Sequence, residues 1–254
     1  MKNYVRAALA AARAPDPGAT GTVVPSPNIW HWPDVYEVEN HAQDSGGAIW
    51  GALRAAHDFA GRDVVDVGCG DGFHLPVFAA SARSVTGVEP HAPLVERARR
   101  RVAELTNVTV LAGPAQRLPL AEASADLVHA RTAYFFGPGC EPGLREADRV
   151  LRPGGALAVV DLDATAGPYG AWMRADMPHY DPSAVEAFFA RHGFDCRRVD
   201  TLWRFPDRES LAAVLRIEFS PRVAERAIAE SSGLTIPVRY RLHVRRKPTG
   251  IVRA

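Results

Sequence analysis

Short apolar segments alternate with longer, more polar segments between residues 64 and 163, and this alternation constrains the fold more than any other feature. The apolar runs are residues 64–67, 84–89, 108–113, 126–130 and 156–163. Helical patterns separate most of them, and a proline-containing loop precedes the fourth run. Apolar runs joined by long connections are typical of parallel strands that are buried on both faces. The alternation therefore predicts an open, doubly wound α/β sheet with helices on both faces.

The pattern changes after residue 164. An aromatic loop leads to a helical pattern at 184–193, which is followed by a strand pattern at 196–205. Two further helical segments precede a last strand pattern at 238–246. We expect the last two strands to extend one edge of the sheet, which gives seven strands in all.

Composition divides the chain into three parts. Residues 1–28 are expected to form a flexible leader, because their second half is rich in proline and glycine. Residues 29–60 begin in the aromatic stretch NIWHWPDVYEVEN and continue as a helical pattern, which predicts an N-terminal lid. Residues 61–254 hold the main domain.

Three glycines follow the first predicted strand in the stretch VVDVGCGDGFH, residues 64–74. Gly68, Gly70 and Gly72 stand at every second position, which indicates that a ligand passes close to the backbone. A dinucleotide fingerprint would need a glycine at position 73, where Phe73 stands. A phosphate-binding loop would end in Gly-Lys-Ser/Thr, which is absent here. The spacing therefore argues against both of these nucleotide-binding loops.

Two acidic residues end the first two predicted strands. Asp66 would repel a pyrophosphate but attract an amine, so it favours a ligand with an amino-acid-like end. Glu89 ends the next strand, where a carboxylate can accept hydrogen bonds from both ribose hydroxyls. Together these acids favour a nucleoside that carries an amino-acid group.

These motifs, taken in order, resemble the class I S-adenosylmethionine-dependent methyltransferases over about residues 60–163. DVGCGDG is similar to the family's first motif and VTGVEP to its second; GPAQRLPLAEASADLVHA and READRVLRPGG resemble its later stretches. The resemblance implies a Rossmann-like fold with an antiparallel edge strand at the C-terminus, with S-adenosylmethionine as the cofactor. It also suggests a bacterial small-molecule subgroup.

The resemblance further implies which residues hold the cofactor. Asp66, the three glycines and Glu89 match the family motifs directly. Pro114 stands where the family often has an Asp that binds the adenine amino group, so adenine recognition is expected to fall to Ala115 and Gln116. Arg131 is expected to bind the cofactor carboxylate or an acidic substrate group. The remaining candidate cofactor residue is Tyr36 in the lid.

Candidate catalytic and substrate residues are aromatic or basic side chains near the expected methyl position. The catalytic candidates are His129, Tyr134 and His31, because an acceptor hydroxyl benefits from a general base. The substrate candidates are Trp30, Tyr169, Trp172, His179 and Tyr180. A structural role is an equally good interpretation of His129 and of the aromatic N-terminal stretch. Cys69 is interpreted as a small residue packed in the loop.

Charge and composition narrow the class of partner. A formal net charge of +1 argues against a nucleic-acid partner, and the spacing of histidines and cysteines predicts no metal site. Three scattered cysteines favour a cytoplasmic protein, and the absence of a long apolar run predicts no membrane span. We expect a monomer or homodimer. We expect methyl transfer to a small molecule, with oxygen favoured over nitrogen or carbon. The alternative is an S-adenosylmethionine-binding protein that is regulatory or does not methylate.

Overall fold

A computed structural model describes residues 23–134 and 137–249 of the chain. Within these ranges the strands are β1 Asp63–Val67, β2 Ser84–Glu89, β3 Val108–Ala112, β4 Ala125–Arg131, β5 Leu151–Leu162, β6 Asp195–Arg204 and β7 Thr235–Arg246. The helices are α1 Pro27–His31, α2 Pro33–Ala42, α3 Ala48–Ala56, α4 Leu75–Ala79, α5 Ala92–Arg101, α6 Glu141–Val150, α7 Gly167–Asp176, α8 Pro182–Arg191, α9 Arg208–Glu218 and α10 Pro221–Glu230. Most of the predicted leader, residues 1–22, lies outside the described residues.

The seven strands form one sheet in the order β3-β2-β1-β4-β5-β7-β6. Pairing is parallel from β3 through β5. Strand β7 runs antiparallel to β5, because Asp163 N–H donates to Arg239 and Gly154 N–H donates to Lys247. The predicted seven-stranded α/β fold with an antiparallel C-terminal strand is confirmed, and the last two strands extend one side of the sheet.

The central strands are apolar because they are buried on both faces. In β1 the last four residues are all buried, and in β4 only one of seven is partly exposed. Such strands gain free energy from apolar burial on each side, at roughly 25 cal/mol per Å². They therefore read as continuous runs of valine, leucine and alanine rather than as an alternating pattern.

Two segments differ from the sequence-based expectation. The fifth strand begins earlier than its predicted apolar run at 156–163: β5 starts at Leu151 and includes the Arg152-Pro153-Gly154-Gly155 segment. Gly154, at φ +81°, donates its N–H to the Lys247 carbonyl, directly after β7, at 2.9 Å. This hydrogen bond brings a turn-forming sequence into the sheet. The expected loop at 164–180 contains α7, whose buried Tyr169, Trp172 and Met173 follow helical spacing.

The chain forms two compact units. The first comprises described parts of residues 1–52, together with 162–185 and 198–241. Its interior contains a group of buried aromatic rings, in which Tyr169 lies 4.8 Å from Trp203 and 5.2 Å from Phe219 between ring centroids. The second unit comprises 53–161 and 186–197, with described parts of 242–254, and it contains β1 to β4.

A charge network lies at the amino ends of β1 and β4, in the second unit. Arg152 contacts Asp63 at 2.9 Å and Asp126 at 3.0 Å, and Arg83 contacts Asp63 at 2.5 Å. The Asp126 carboxylate also accepts the N–H of Asp63 at 2.9 Å. The guanidinium of Arg83 holds the pKa of Asp63 well below its ordinary value of 3.8. The network therefore stabilises the strand ends opposite those that carry the glycines.

Replacing Asp63 with Asn should lower the free energy of unfolding by about 1 kcal/mol at neutral pH, because an amide cannot pair with both guanidinium groups. Since the folded pKa of Asp63 is depressed, its stabilising contribution is present above pH 3.8 and is lost as the pH falls toward the folded pKa. Urea denaturation of wild type and Asp63→Asn should therefore show a difference that shrinks between about pH 4 and pH 2. Asp195→Asn, at an exposed position of β6, is the matched control and should change stability little. An equal loss in both variants would contradict this account.

Candidate functional site

The predicted cofactor residues of the second unit lie at the carboxyl ends of adjacent parallel strands. Strand β1 lies between β2 and β4, so the chain leaves it toward one side and later returns on the other. In open α/β sheets this reversal of strand order opens a crevice beyond the strand ends, where ligands bind. Asp66 near the end of β1 and Glu89 at the end of β2 are both buried here.

The glycine loop needs its glycines for conformation and for space. Gly68 has φ +70°, and a Cβ on it would lie 3.0 Å from the Ala133 Cβ. Gly72 has φ +83°, and a Cβ there would lie 3.1 Å from the backbone of Ala98 in α5. L-amino acids with side chains rarely adopt these angles, so the backbone itself forms the wall of the crevice at this point.

Glu89 connects the glycine loop to the start of α5. One carboxylate oxygen accepts the N–H of Gly70 at 3.1 Å, and the other accepts the N–H of His91 at 2.9 Å. Burial raises the pKa of Glu89 above its ordinary value of 4.5. Each carboxylate oxygen has two lone pairs, so both oxygens can still accept a bond from a ligand hydroxyl. This pair of acceptor oxygens fits a ribose diol held against the end of β2.

Asp66 is hydrogen bonded to His129 from the neighbouring strand. The distance from His129 Nδ1 to Asp66 Oδ1 is 2.7 Å, and both side chains are buried. The ring of Phe78 packs edge-on against His129, with centroids 5.1 Å apart. This pairing of the loop acid with a strand histidine was not part of the sequence-based prediction, which treated the two residues separately.

Arg101 of α5 holds the glycine loop from outside, a role that sequence reasoning missed. Its guanidinium donates to the Asp71 carboxylate at 2.9 Å and to the Asp71 carbonyl at 3.0 Å. It also lies 5.5 Å from the centroid of the Phe73 ring. Asp71 is almost fully buried, so this ion pair neutralises a charge inside the loop. The only sequence signal was an arginine thirty positions away in an amphipathic helix.

The end of β4 brings a positive charge to the crevice. Arg131 is buried at the last position of the strand. Burial lowers the pKa of His74 in the loop well below its ordinary value, and the charge of Arg131 lowers it further. His74 is therefore neutral at physiological pH. Thr132 follows at φ +54°, an uncommon angle for a β-branched residue and the kind of strain that clusters at functional sites.

Tyr134 and Cys69 are both buried in the second unit. The hydroxyl of Tyr134 would lie 2.9 Å from a Cβ on Gly143, so it packs against α6. Burial raises the pKa of Tyr134 well above its ordinary value, which keeps the hydroxyl protonated. Burial also raises the pKa of the Cys69 thiol, which is typical of a packing residue and not of a nucleophile.

The residues predicted to hold adenine lie in a turn directly after β3. Ala115 and Gln116 are half-buried there, and the turn is closed by a hydrogen bond of 3.1 Å from Arg117 N–H to the Pro114 carbonyl. The last residue of β3, Ala112, is in register with Glu89 of β2. A ligand whose ribose lies at Glu89 would therefore have its base near this turn.

The other predicted site residues belong to the first unit. They are Trp30, His31, Tyr36, Tyr169, Trp172, His179 and Tyr180. Tyr169 and Trp172 are buried, with hydrogen bonds to Glu218 and Glu230, and the Tyr180 hydroxyl accepts from Arg241 at 2.7 Å. His31 and His179 are exposed. The predicted lid and substrate roles of this set stay predictions.

Within residues 23–134 and 137–249, no group of three or more histidine, cysteine or acidic residues could hold a metal ion. None of the helices there is long and apolar enough to cross a membrane.

Comparison with known proteins supports the interpretation of the strand ends. Residues 65–159 match the family model described as a methyltransferase domain. The chain is 28% identical over 167 residues to the ubiquinone/menaquinone biosynthesis C-methyltransferase UbiE of Rubrivivax gelatinosus, covering 64% of each protein. It is 32% identical over 127 residues to the malonyl-[acyl-carrier protein] O-methyltransferase of Pectobacterium atrosepticum, covering 49% of this chain and 48% of that protein.

The fold is also similar to solved structures. The YcgJ protein from Bacillus subtilis superposes with a TM-score of 0.58 at 20% identity, covering 81% of this chain and all of that one. Matches to the first curated relatives span 31% to 64% of those proteins' own length. The matched model, the sheet order and the acids near the ends of β1 and β2 together identify residues 65–159 as a class I S-adenosylmethionine-dependent methyltransferase domain.

Proposed function

We propose that this protein transfers the methyl group of S-adenosylmethionine to a small-molecule acceptor. The observation that supports this most directly is the arrangement of Glu89, with one carboxylate oxygen bonded to Gly70 of the glycine loop and the other to His91. The loop and the acid form one preorganised surface for a ribose. Asp66, beside the loop, supplies a negative charge for the amino-acid end of the cofactor.

The chain's own residues would bind and orient rather than supply the reactive group. The cofactor brings an electrophilic methyl group on a sulfonium ion. Glu89 would accept the ribose hydroxyls, Asp66 the ammonium group, and Arg131 would balance the carboxylate. Holding the donor rigidly in a crevice that excludes water accelerates an in-line displacement, because the two reactants meet already aligned.

We infer an oxygen acceptor in preference to nitrogen or carbon. The family's Asn-Pro-Pro-Tyr signature for amide and base nitrogens is absent after β4. Of the two curated relatives compared above, one is an O-methyltransferase and the other a C-methyltransferase, so carbon is the second candidate. Because the Tyr134 hydroxyl stays protonated, it would donate a hydrogen bond to the acceptor molecule instead of removing its proton. His31, which is exposed, is the candidate for the general base. The alternative proposal remains cofactor binding without methyl transfer, in a regulatory protein.

The cellular setting is also part of the proposal. Cys69, Cys140 and Cys196 are all free thiols, as is typical of proteins in a reducing cytoplasm. The near-neutral charge favours a small-molecule partner over nucleic acid. We further propose that the protein is a monomer or a homodimer.

Calorimetric titration of the purified chain with S-adenosylhomocysteine should reveal one binding site. Glu89→Gln should lower the affinity of this site for S-adenosylhomocysteine about tenfold or more. The amide keeps one acceptor oxygen but loses the charge that strengthens bonds from hydroxyls. Because burial raises the pKa of Glu89, the carboxylate gains a proton at a pH above 4.5. Affinity should therefore be constant at neutral pH and fall as the pH drops through this raised value.

Glu104→Gln is the matched control, because Glu104 is exposed shortly after α5. It should leave the affinity and its pH dependence unchanged. Failure of the wild type to bind S-adenosylhomocysteine would overturn both methyl transfer and the regulatory alternative.

Turnover separates the two functions. The protein should be incubated with S-adenosylmethionine and panels of phenols, alcohols, carboxylic acids, amines and activated carbon acids. We expect S-adenosylhomocysteine to form when the added acceptor has an oxygen nucleophile. Mass spectrometry should locate the added methyl group on that oxygen. Methylation of a carbon or nitrogen acceptor alone would reject the oxygen assignment, while tight binding without turnover on any panel would favour the regulatory alternative.

Pro114→Asp should tighten binding of S-adenosylhomocysteine about fivefold, because a carboxylate at this turn can accept the adenine amino group. The gain should vanish with S-inosylhomocysteine, which has no amino group at that position. Pro114→Ala, which adds no acceptor, is the control and should not tighten binding. An equal gain for both ligands would show that adenine does not lie at this turn.

A further inference from the structure

His129 and Asp66 are paired on neighbouring strands, and the residues in register on the strands to either side of them are small. Asp66 is in register with Gly87 of β2 on one side and with His129 of β4 on the other, and His129 is in register with Ala158 of β5. Residues in register on parallel strands point to the same face. The two polar side chains therefore lie next to each other on one face of the sheet, and the small residues Gly87 and Ala158 on either side leave room for them.

The imidazole ring is held in one orientation. His129 is only 1% exposed, and Phe78 of α4 packs edge-on against it. The 2.7 Å contact between Nδ1 and the Asp66 carboxylate requires a proton on Nδ1, because a carboxylate without a proton can only accept. The ring therefore donates one hydrogen bond to Asp66 and restricts rotation of that carboxylate.

This burial also separates His129 from the role of a general base. A base must reach the acceptor's proton directly or through one water. A ring that lies beneath α4 and donates from Nδ1 to the loop acid is instead placed to act on that acid.

We propose that His129 is a positioning residue that orients the Asp66 carboxylate toward the ammonium group of the cofactor. This inference rests on the proposed cofactor binding and goes beyond it by assigning to a β4 side chain the recognition of the amino-acid end. Without the imidazole, the carboxylate rotates and its charge is no longer directed at the ligand. The adenosine part of the ligand lies at Glu89 and does not depend on this pair.

Two ligands distinguish positioning from a general structural role. S-adenosylhomocysteine has the amino-acid end, whereas 5′-methylthioadenosine lacks it. His129→Leu, which removes the donor at similar volume, should weaken S-adenosylhomocysteine about tenfold and change 5′-methylthioadenosine less than twofold. His129→Asn, whose side-chain N–H can replace Nδ1–H, should recover most of the lost affinity.

A double-mutant cycle tests the coupling and protects against a folding defect. In the Asp66→Asn background, His129→Leu should cause no further loss of S-adenosylhomocysteine affinity, because the group it orients is already neutral. His192→Leu is the control, since the ring Nδ1 of that histidine bonds to the Phe188 carbonyl in α8 at 2.9 Å. It should leave both affinities unchanged.

The outcomes separate the two proposals. Binding of neither ligand by the wild type rejects the proposed function itself. If the wild type binds both ligands, two results in His129→Leu would overturn the positioning role alone. One is that neither affinity changes, and the other is that both affinities fall by the same factor. Additive losses in the Asp66→Asn background would overturn it as well. Should His129→Leu fail to fold, His129→Met, which also lacks the donor, takes its place and should show the same selective loss of S-adenosylhomocysteine affinity; retained affinity in His129→Met would overturn the positioning role.

Discussion

The attachment of the glycine loop to the end of β2 is the interaction on which the site depends. Gly68 and Cys69 both donate their N–H groups to the Val88 carbonyl, and Gly70 donates to the Glu89 carboxylate. The loop can make these bonds only by turning through positive φ angles directly after β1. Because three consecutive donors are committed to β2, the crevice wall has little freedom to rearrange when a ligand enters, which is how preorganised sites gain affinity.

Each acid near the loop has a partner that suits its task. Asp71 is neutralised by Arg101, so its charge stabilises the loop rather than attracting a ligand. Glu89 is bonded only to neutral backbone donors in the contacts described above, which leaves its charge available to hydroxyl groups. Asp66 is bonded to a histidine. Buried carboxylates without such partners would be costly, so the three pairings explain how one small region tolerates three acids.

Much of the fold could be predicted because the signals were local or periodic. Val64 to Val67 are apolar because β1 is buried on both faces, and that burial is visible in any apolar run. The fate of Pro153 and Gly154 could not be predicted in this way. Turn-forming residues normally end an element, but here hydrogen bonds to a strand almost a hundred positions later keep them in β5. The helix α7 was missed for a similar reason, since its buried face packs against residues distant in sequence.

The order and spacing of residues were enough to establish the parallel sheet, the close approach of the backbone at the glycines and the acids at two strand ends, because each follows from local conformation or periodicity. Which side chains those acids meet depended on folding. His129 lies sixty-three positions from Asp66, and Arg101 lies thirty from Asp71. Such pairs arise only when parallel strands align in register and a helix packs across the loop, since no local pattern encodes a contact between side chains so far apart in the chain.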